Sequence, residues 1–334
     1  MIECTTDAKV HNRNETQALV PPTKSDTSLA IAGPDSGKIE IATKPRILFC
    51  DLRLSPGENR SFIYRETLPS DAPPSYRGQL VKYSYKITIG TQRVNNPIKL
   101  LKVPLRILPI STLGLADINV LCNDTSEELT PANPFMETTQ RETPLDIALQ
   151  ALQNITARRS PNFYMISNTR GKVGRFCLFK SSYKLGEDIV GTFDFSVATV
   201  RCVQVSVSLQ CEEESSVEIK NKPVKQSRVV TYNKHHEVCL GLKHSQLILP
   251  IPLHVTPAFT TPLVCLKWRL HFEFVTSTDK ALEAPSLDQC GWQAPSEIPI
   301  ETMIWSLPIR LFSTTPLHVL QGLQTSPPHS LIIR

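Results

Sequence analysis

The stretch from Leu80 to Gly90, LVKYSYKITIG, decides the fold of this sequence. From Val81 onward its odd positions carry valine, tyrosine and isoleucine, whereas its even positions carry lysine, serine and threonine before the final glycine. A period of two with β-branched and aromatic residues on one side predicts a long strand. One face of that strand is expected to be buried and the other to be polar, so the strand requires neighbours.

Further turn and strand signals flank this stretch. Pro56 and Gly57 predict a turn, because proline fixes φ and glycine tolerates a positive φ, and a strand is expected near residues 62–67. Pro73-Pro74-Ser75-Tyr76 then forms an extended entry to the long strand. A second alternating run follows a predicted turn after it, with apolar residues at Leu101, Val103, Leu105 and Ile107.

Composition excludes several functional classes. The chain has 334 residues, which suggests two domains, and its 36 basic and 31 acidic residues give a net charge of only +5. This mild charge argues against a nucleic-acid-binding protein. We expect neither a signal peptide nor a membrane span, since the first residues are polar and apolar runs are short. The nine cysteines form no CxxC pair, which predicts reduced, mostly buried thiols in a cytosolic protein.

The first part of the chain is predicted to contain an irregular segment and a partial domain. Residues 1–44 are polar, and only Ile39 to Ile41 hints at a strand. Residues 45–110 supply about four strands, whereas a two-sheet sandwich needs about seven. Either this first sandwich is incomplete, which we favour, or another chain covers its open face.

The remainder is predicted to be a linker, a second sandwich and a flexible tail, at residues 111–160, 161–312 and 313–334. The linker contains a helix near 144–159, because Thr143 can cap it and leucines follow at helical spacing. The second sandwich is predicted from three alternating runs, at Val203 to Cys211, Val264 to Phe274 and Met303 to Leu311. Residues 212–237 and 276–300 lack a pattern and are expected to be loops.

Motifs that carry chemistry are scarce. His235, His236, Glu237 and Cys239 are possible metal ligands, but zinc sites normally use two spaced pairs, so we give a metal site roughly one chance in twenty. Glu212-Glu213-Glu214 is typical of a solvated loop. The sequence has no nucleophile elbow, metalloprotease motif or phosphate loop. We therefore expect that this chain is not an enzyme and that it has no catalytic residue, no cofactor and no metal.

Pro73-Pro74-Ser75-Tyr76 matches the Pro-Pro-x-Tyr pattern that WW domains bind. Such binding needs an exposed, flexible polyproline segment. Because the tetrapeptide leads directly into a strand, we favour a packed tyrosine over a WW ligand by about three to one.

Four blocks resemble the reduced-growth-phenotype family of arrestin-fold proteins: KPRILFCDLRLSPGE, PPSYRGQLVKYSYKITIGTQRVNNPI, RGKVGRFCLFKSSYKLGEDIVGT and CLKWRLHFEFVTS. With the strands between them they span about residues 44–312. The resemblance implies an all-β fold of two arrestin-like β-sandwich domains, the first incomplete, joined by a connection with one short helix. This chain departs from the family after Met1-Ile2-Glu3, where members continue through apolar strands.

The resemblance also implies a function. Members of this family are the smaller, non-catalytic subunit of a two-subunit guanine-nucleotide exchange factor for the Golgi Rab-six GTPase. We therefore expect this chain to promote GDP release and to support endosome-to-Golgi retrograde transport. The expected partners are a large β-propeller-containing subunit, the GTPase and, through these partners, the peripheral Golgi membrane, but no nucleic acid. The expected location is the cytoplasm and the cytosolic face of the Golgi membrane.

An arrestin-like cargo adaptor of the retromer or α-arrestin kind is the alternative function. An adaptor of the α-arrestin kind is expected to carry Pro-Pro-x-Tyr in its tail, and TSPPHS at residues 325–330 has no tyrosine. Several cations are candidates for binding a partner, although lysines and arginines on the polar face of a sheet more commonly face only solvent. They are Arg77, Lys82, Lys86, Arg93, Lys172 and Arg175.

Overall fold

Strands make up most of the chain that the structure describes. The computed structural model describes residues 1–8, 38–69, 71–108, 144–157, 160–219, 222–279, 282 and 295–315. These residues contain fifteen strands and one helix. The all-β class predicted from the sequence is therefore confirmed.

The chain divides into two units, each with its own core. The first comprises Met1–Pro109, Glu213–Arg228 and Phe259–Cys265, and the second comprises Ile110–Glu212, Val229–Ala258 and Leu266–Arg334. The first sandwich predicted from the sequence is one contiguous segment, whereas the first unit of the structure also contains two later segments. The domain boundaries drawn from the sequence stay a prediction.

A five-stranded sheet of antiparallel pairs forms the larger part of the first unit. Its strands are β1 (Ile2–Ala8), β2 (Lys38–Ala42), β3 (Tyr76–Arg77), β4 (Val81–Thr91) and β5 (Lys99–Leu105). β1 lies between β2 and β4, whereas β3 and β5 both pair with β4. The stretch that decides the fold is therefore the strand on which three others are built.

The segment 1–44, predicted to be irregular, contains two strands. β1 and β2 lie within it, and residues 9–37 are outside the described part of the chain. β1 is polar in sequence, but it pairs with a neighbour on each edge, and Cys4, Thr5 and Thr6 are buried. The polar composition did not predict this strand. Backbone hydrogen bonds to a neighbouring strand on each edge stabilise β1 although its side chains are polar.

The strand predicted near residues 62–67 is absent. The described residues between β2 and β3 contain no strand at all. Phe62 and Ile63 are exposed. An apolar side chain favours a strand only where a neighbouring strand and a core receive it, and this segment has no paired neighbour in the described structure.

The core of the first unit lies on one face of β4. Val81, Tyr83 and Tyr85 are buried there, as the alternation predicts. Residues of β1 and Val264 complete the same apolar cluster. Alternation and burial therefore agree over the first half of β4.

The two buried tyrosines of β4 keep hydrogen-bond partners for their hydroxyl groups. Tyr85 donates to the carbonyl oxygen of Pro73 at 2.5 Å, and the Tyr83 hydroxyl lies 2.9 Å from Thr261 Oγ1. Burial raises the pKa of both phenols above their ordinary value. Both tyrosines therefore stay neutral over the physiological pH range.

Two further sheets follow along the chain. One has the order β11-β10-β14-β15-β8, with β13 paired to β14, and the other has the order β12-β9-β7-β6. Their strands are β6 (Asn162–Asn168), β7 (Gly171–Leu178), β8 (Ser182–Lys184), β9 (Asp188–Asp194), β10 (Cys202–Ile219), β11 (Lys222–Val238), β12 (His244–Pro250), β13 (Phe259–Thr260), β14 (Val264–Ser277) and β15 (Ile300–Phe312).

Aromatic rings fill the core of the second unit. Phe176 of β7 lies 4.8 Å from Phe193 of β9 and 4.9 Å from Phe272 of β14, between ring centroids. Trp305 of β15 lies 4.7 Å from Phe272. The alternation predicted along β14 is confirmed, because its even-numbered apolar residues are buried.

Residues 212–237, predicted to be a loop, are almost entirely strand. β10 runs to Ile219 and β11 begins at Lys222, and the two strands pair. The prediction ended the strand at Cys211 because apolar alternation ends there. Backbone hydrogen bonding continues through the polar residues that follow. The alternation of apolar residues therefore predicted only the first half of β10.

The predicted helix near 144–159 is confirmed as α1, Pro144–Ala157. Ala148, Leu152 and Thr156 are buried and are spaced four residues apart, which places them on one face. Thr143 and Arg158-Arg159, the predicted cap and end, lie outside the described residues, as do residues 316–334 of the predicted tail.

Candidate interaction surfaces

A buried carboxylate in the first unit holds the start of β4. Glu213 is only 1% exposed, and its carboxylate accepts hydrogen bonds from three consecutive backbone N–H groups. The donors are Gln79 at 2.8 Å, Leu80 at 3.1 Å and Val81 at 3.0 Å. Bonds to a charged acceptor are roughly twice as strong as neutral ones. Glu213 therefore fixes the turn between β3 and β4.

Gly78 provides the space for this carboxylate. A Cβ atom at Gly78 would overlap a carboxylate oxygen of Glu213 and the ring of Tyr76. The interpretation of Glu212-Glu213-Glu214 as a solvated loop is thus wrong. The sequence contained a signal that Glu213 is buried. The apolar positions of β10 are odd-numbered up to Cys211, and Glu213 is the next odd-numbered position. An unpaired carboxylate is seldom buried, and its backbone partners cannot be read from side-chain types.

A second feature of the first unit is an arm that doubles back on itself, which we name the apolar arm (residues 45–66). Its turn lies at Ser55 and Glu58, where the Glu58 N–H donates to the Ser55 carbonyl at 3.0 Å. The Ser55 N–H donates to the Glu58 carboxylate at 3.1 Å. Away from the turn, the rings of Phe49 and Phe62 lie 4.9 Å apart. The two halves of the apolar arm therefore contact each other without forming strands.

The apolar arm exposes large hydrophobic side chains. Ile47 and Ile63 are each 78% exposed, and Phe49, Leu54 and Phe62 are exposed as well. At the base, Tyr64 packs against the core cluster of the first unit, so the arm is anchored there. Apolar side chains that lie together at a protein surface commonly mark an interaction site.

The third feature, which we name the basic hairpin (residues 81–105), consists of β4, β5 and their connecting turn. Seven lysines and arginines and no acidic residue lie between residues 72 and 108, whereas the whole chain carries only +5. In the turn, Asn95 has a φ of 57° and the Asn96 N–H donates to the Arg93 carbonyl at 3.1 Å. This turn leaves Val94 88% exposed.

Four of the six predicted partner-binding cations lie on or beside the basic hairpin. Arg77 of β3 pairs in register with Lys82 of β4, and Lys86 follows on the same face of β4. Arg93 is exposed in the turn. The structure therefore places these four cations on neighbouring parts of one sheet, and their role in partner binding stays a prediction.

The other two predicted cations, Lys172 and Arg175, belong to β7 in the second unit and are exposed. Arg175 donates to the Asp194 carboxylate at 2.8 Å, and its guanidinium carbon lies 5.7 Å from the Phe163 ring centroid. Hydrogen bonds from Ser196, with a smaller contribution from Arg175, lower the pKa of Asp194. Arg175 is thus already engaged within its own unit.

The geometry of the described residues offers no metal centre. Among them, no three or more His, Cys, Asp or Glu side chains are placed to hold an ion. His235 Nε2 lies 3.7 Å from a Glu237 carboxylate oxygen, and Cys239 Sγ lies 3.6 Å from Cys202 Sγ. His235 and Glu237 thus lie near each other, whereas the thiol of Cys239 lies against that of Cys202. None of the described helices has the length and hydrophobicity to cross a membrane.

The structure resolves the two interpretations of Pro73-Pro74-Ser75-Tyr76. Pro74 is buried, and the Ser75 N–H donates to the Ile107 carbonyl at 2.7 Å. Tyr76 lies in β3 and packs edge-on against Phe259, with ring centroids 5.2 Å apart. The packed interpretation is confirmed, because a WW domain needs these residues to be exposed.

A protein-family comparison extends over both units. The model of the family described as Rgp1 matches residues 40–114 and 117–277, which include the apolar arm, the basic hairpin and all of β10. This chain belongs to the Rgp1 family. The family predicted from the four sequence blocks is confirmed.

Two relatives have the name RAB6A-GEF complex partner protein 2. The protein from Homo sapiens is 43% identical over 335 residues, which cover 92% of this chain and 84% of that protein. The protein from Bos taurus is 42% identical over 327 residues, which cover 91% and 82% respectively. Among solved structures, squid arrestin is similar at a TM-score of 0.26 and 11% identity, over 46% of this chain and 53% of the arrestin chain.

Proposed function

We propose that this Rgp1-family protein is the non-catalytic subunit of a two-subunit guanine-nucleotide exchange factor. In this proposal, the complex promotes GDP release from a Rab-six-type GTPase at the cytosolic face of the Golgi and supports retrograde transport from endosomes. The observation that carries the proposal is 43% identity, over 92% of the chain, to a protein named as a partner in a RAB6A-GEF complex. Family membership over both units adds support.

Exchange of this kind needs binding rather than covalent chemistry. The complex accelerates release by binding the nucleotide-free GTPase more tightly than the GDP-bound form. A subunit can contribute by holding the other subunit or the GTPase in place, and for that it needs surfaces rather than a nucleophile. The apolar arm is a surface of this type.

The apolar arm is the surface through which this chain docks on a large β-propeller-containing subunit. Ile47, Phe49, Phe62 and Ile63 remain exposed in the isolated chain, although burying such side chains stabilises a protein by about 1.5–3 kcal/mol each. Exposed apolar and aromatic anchors beside one another are typical of interface hot spots. A permanent partner that covers the apolar arm accounts for their exposure.

The proposal is tested by the release of mantGDP from the Rab-six-type GTPase. The assay compares this chain alone, the large subunit alone and the two together, with an unrelated Rab GTPase as the control substrate. We expect acceleration only when both subunits are present, and only for the Rab-six-type GTPase. Exchange by the large subunit that is unchanged on adding this chain, despite a stable complex, contradicts the proposal. Absence of any complex favours the cargo-adaptor function instead.

A further inference from the structure

We propose that the tip of the basic hairpin inserts into the interfacial region of an anionic membrane. The tip consists of the end of β4, the turn and the start of β5, at residues 88–100. This contact is direct, and it differs from membrane recruitment through partners. It does not depend on the proposed exchange activity.

The first argument is the exposure of apolar side chains at the tip. Val94 is 88% exposed at the outermost turn, and Ile98 beside it is exposed too. Ile89 and Leu100 are 43% and 44% exposed. None of these four side chains belongs to the core cluster of the first unit.

The second argument is that the apolar side chains lie on both faces of the two-stranded ribbon. Ile89 follows the odd-numbered, core-facing side of β4, whereas Leu100 pairs in register with Gly90 on the even-numbered side. A protein partner that packs on one face of a ribbon covers one of these sets. A lipid interface surrounds the tip and receives both, so the observations favour a membrane over an acidic protein surface.

The third argument is charge complementarity. Arg93 lies within the turn, and Lys99 and Lys102 lie on β5 behind it, so that cations accompany the apolar tip. No acidic residue occurs between residues 72 and 108 of the sequence. Anionic headgroups attract such cations, and the apolar side chains between them can enter the acyl boundary.

The test is flotation of the full-length chain with phosphatidylcholine vesicles that either contain or lack phosphatidylserine. We expect binding to the phosphatidylserine vesicles only, and a fall in affinity as salt is added. Replacing two tip cations, Arg93→Gln with Lys99→Gln, is expected to weaken binding about twenty-five-fold, at about five-fold for each cation. Replacing two apolar tip residues, Val94→Ser with Ile98→Ser, is expected to weaken it about ten-fold.

Matched control variants change the same chemistry elsewhere. Arg201→Gln with Lys243→Gln removes two exposed cations from the second unit, and Ile248→Ser with Ile304→Ser removes two exposed apolar side chains. Both controls are expected to bind vesicles as the wild type does. The proposal is overturned by equal binding to both vesicle types, by absence of binding, or by controls that weaken binding as much as the tip variants. It is also overturned if the tip variants reduce affinity for a protein partner while vesicle binding is absent.

The outcome can be separated from that of the exchange assay. GDP release in solution requires no vesicle, so loss of vesicle binding in the variant with Val94→Ser and Ile98→Ser should leave release in solution unchanged. If the tip variants abolish release in solution as well, the basic hairpin contacts a protein of the complex, and the membrane proposal fails.

Discussion

The two ends of β4 follow the same alternation but differ in what covers them. At its start Val81, Tyr83 and Tyr85 enter the core, and Glu213 holds the backbone that leads in. At its end Ile89 points along the same face, yet it is exposed. Alternation specifies which face a side chain takes, but it does not specify that anything covers that face. The covered end maintains the fold, and the open end is available for recognition.

The largest expected difference between the two ends is in the free energy of unfolding. Tyr83→Ala is expected to lower it by about 3–5 kcal/mol, because a buried ring leaves a cavity. Ile89→Ala is expected to lower it by less than about 1 kcal/mol, since its side chain is already exposed. Urea titrations of the two variants check this. Equal losses would show that the end of β4 is covered as well.

Glu213→Gln is expected to lower the free energy of unfolding by about 2–3 kcal/mol. The amide group cannot accept from all three N–H groups of residues 79–81, and an unsatisfied buried N–H costs about 1–3 kcal/mol. Glu214→Gln is the matched control, since it changes the neighbouring side chain on the other face of β10 and should cost less than about 0.5 kcal/mol. Similar losses in the two variants would mean that Glu213 does not hold the start of β4.

Alkaline pH should weaken the packing at the covered end of β4. The pKa values of Tyr83 and Tyr85 are raised by burial, so the neutral phenols are favoured in the folded state. The stabilisation that follows from this difference in pKa between the folded and unfolded states is therefore fully present below the ordinary phenol pKa of about 10. It is lost as the pH rises above that value. Tyr85→Phe should cost about 1 kcal/mol at neutral pH, through the bond to Pro73, but show a shallower decline above pH of about 10. An unchanged decline would contradict the assignment.

The smallest expected effect is at the tip of the basic hairpin. Val94→Ser should change the free energy of unfolding by less than about 0.5 kcal/mol, because its side chain contacts almost nothing in the chain. Thermal unfolding of the full-length protein checks this. A clear loss of stability would show that Val94 is packed, and the contrast between the two ends of β4 would disappear.

Much of the framework could be predicted from local pattern. The stretch Leu80 to Gly90 corresponds to β4, residues 144–159 correspond to α1, and the run from Val264 corresponds to β14. In each case the side-chain period matches the element, and a core receives the apolar face. Period is a reliable signal where a buried face exists.

The failures have one physical cause, which is that backbone pairing partners are invisible in side-chain patterns. β1 is polar and yet central, whereas the apolar arm is rich in hydrophobic residues and contains no strand. Glu213 belongs to the same class, because its partners are three backbone N–H groups far away in sequence. The candidate cations show the same limit, since charge could be read from the sequence but the exposed tip beside Arg93 could not.

The most direct test of the account is the affinity of the full-length chain for the large β-propeller-containing subunit. It should be measured with three proteins: the wild type, an arm variant that carries both Phe49→Ser and Phe62→Ser, and a matched control that carries both Ile248→Ser and Ile304→Ser. We expect the arm variant to bind at least about ten-fold more weakly, with an unchanged free energy of unfolding, while the control binds like wild type. An arm variant that binds as tightly as wild type, or a wild-type chain that does not bind, would contradict it.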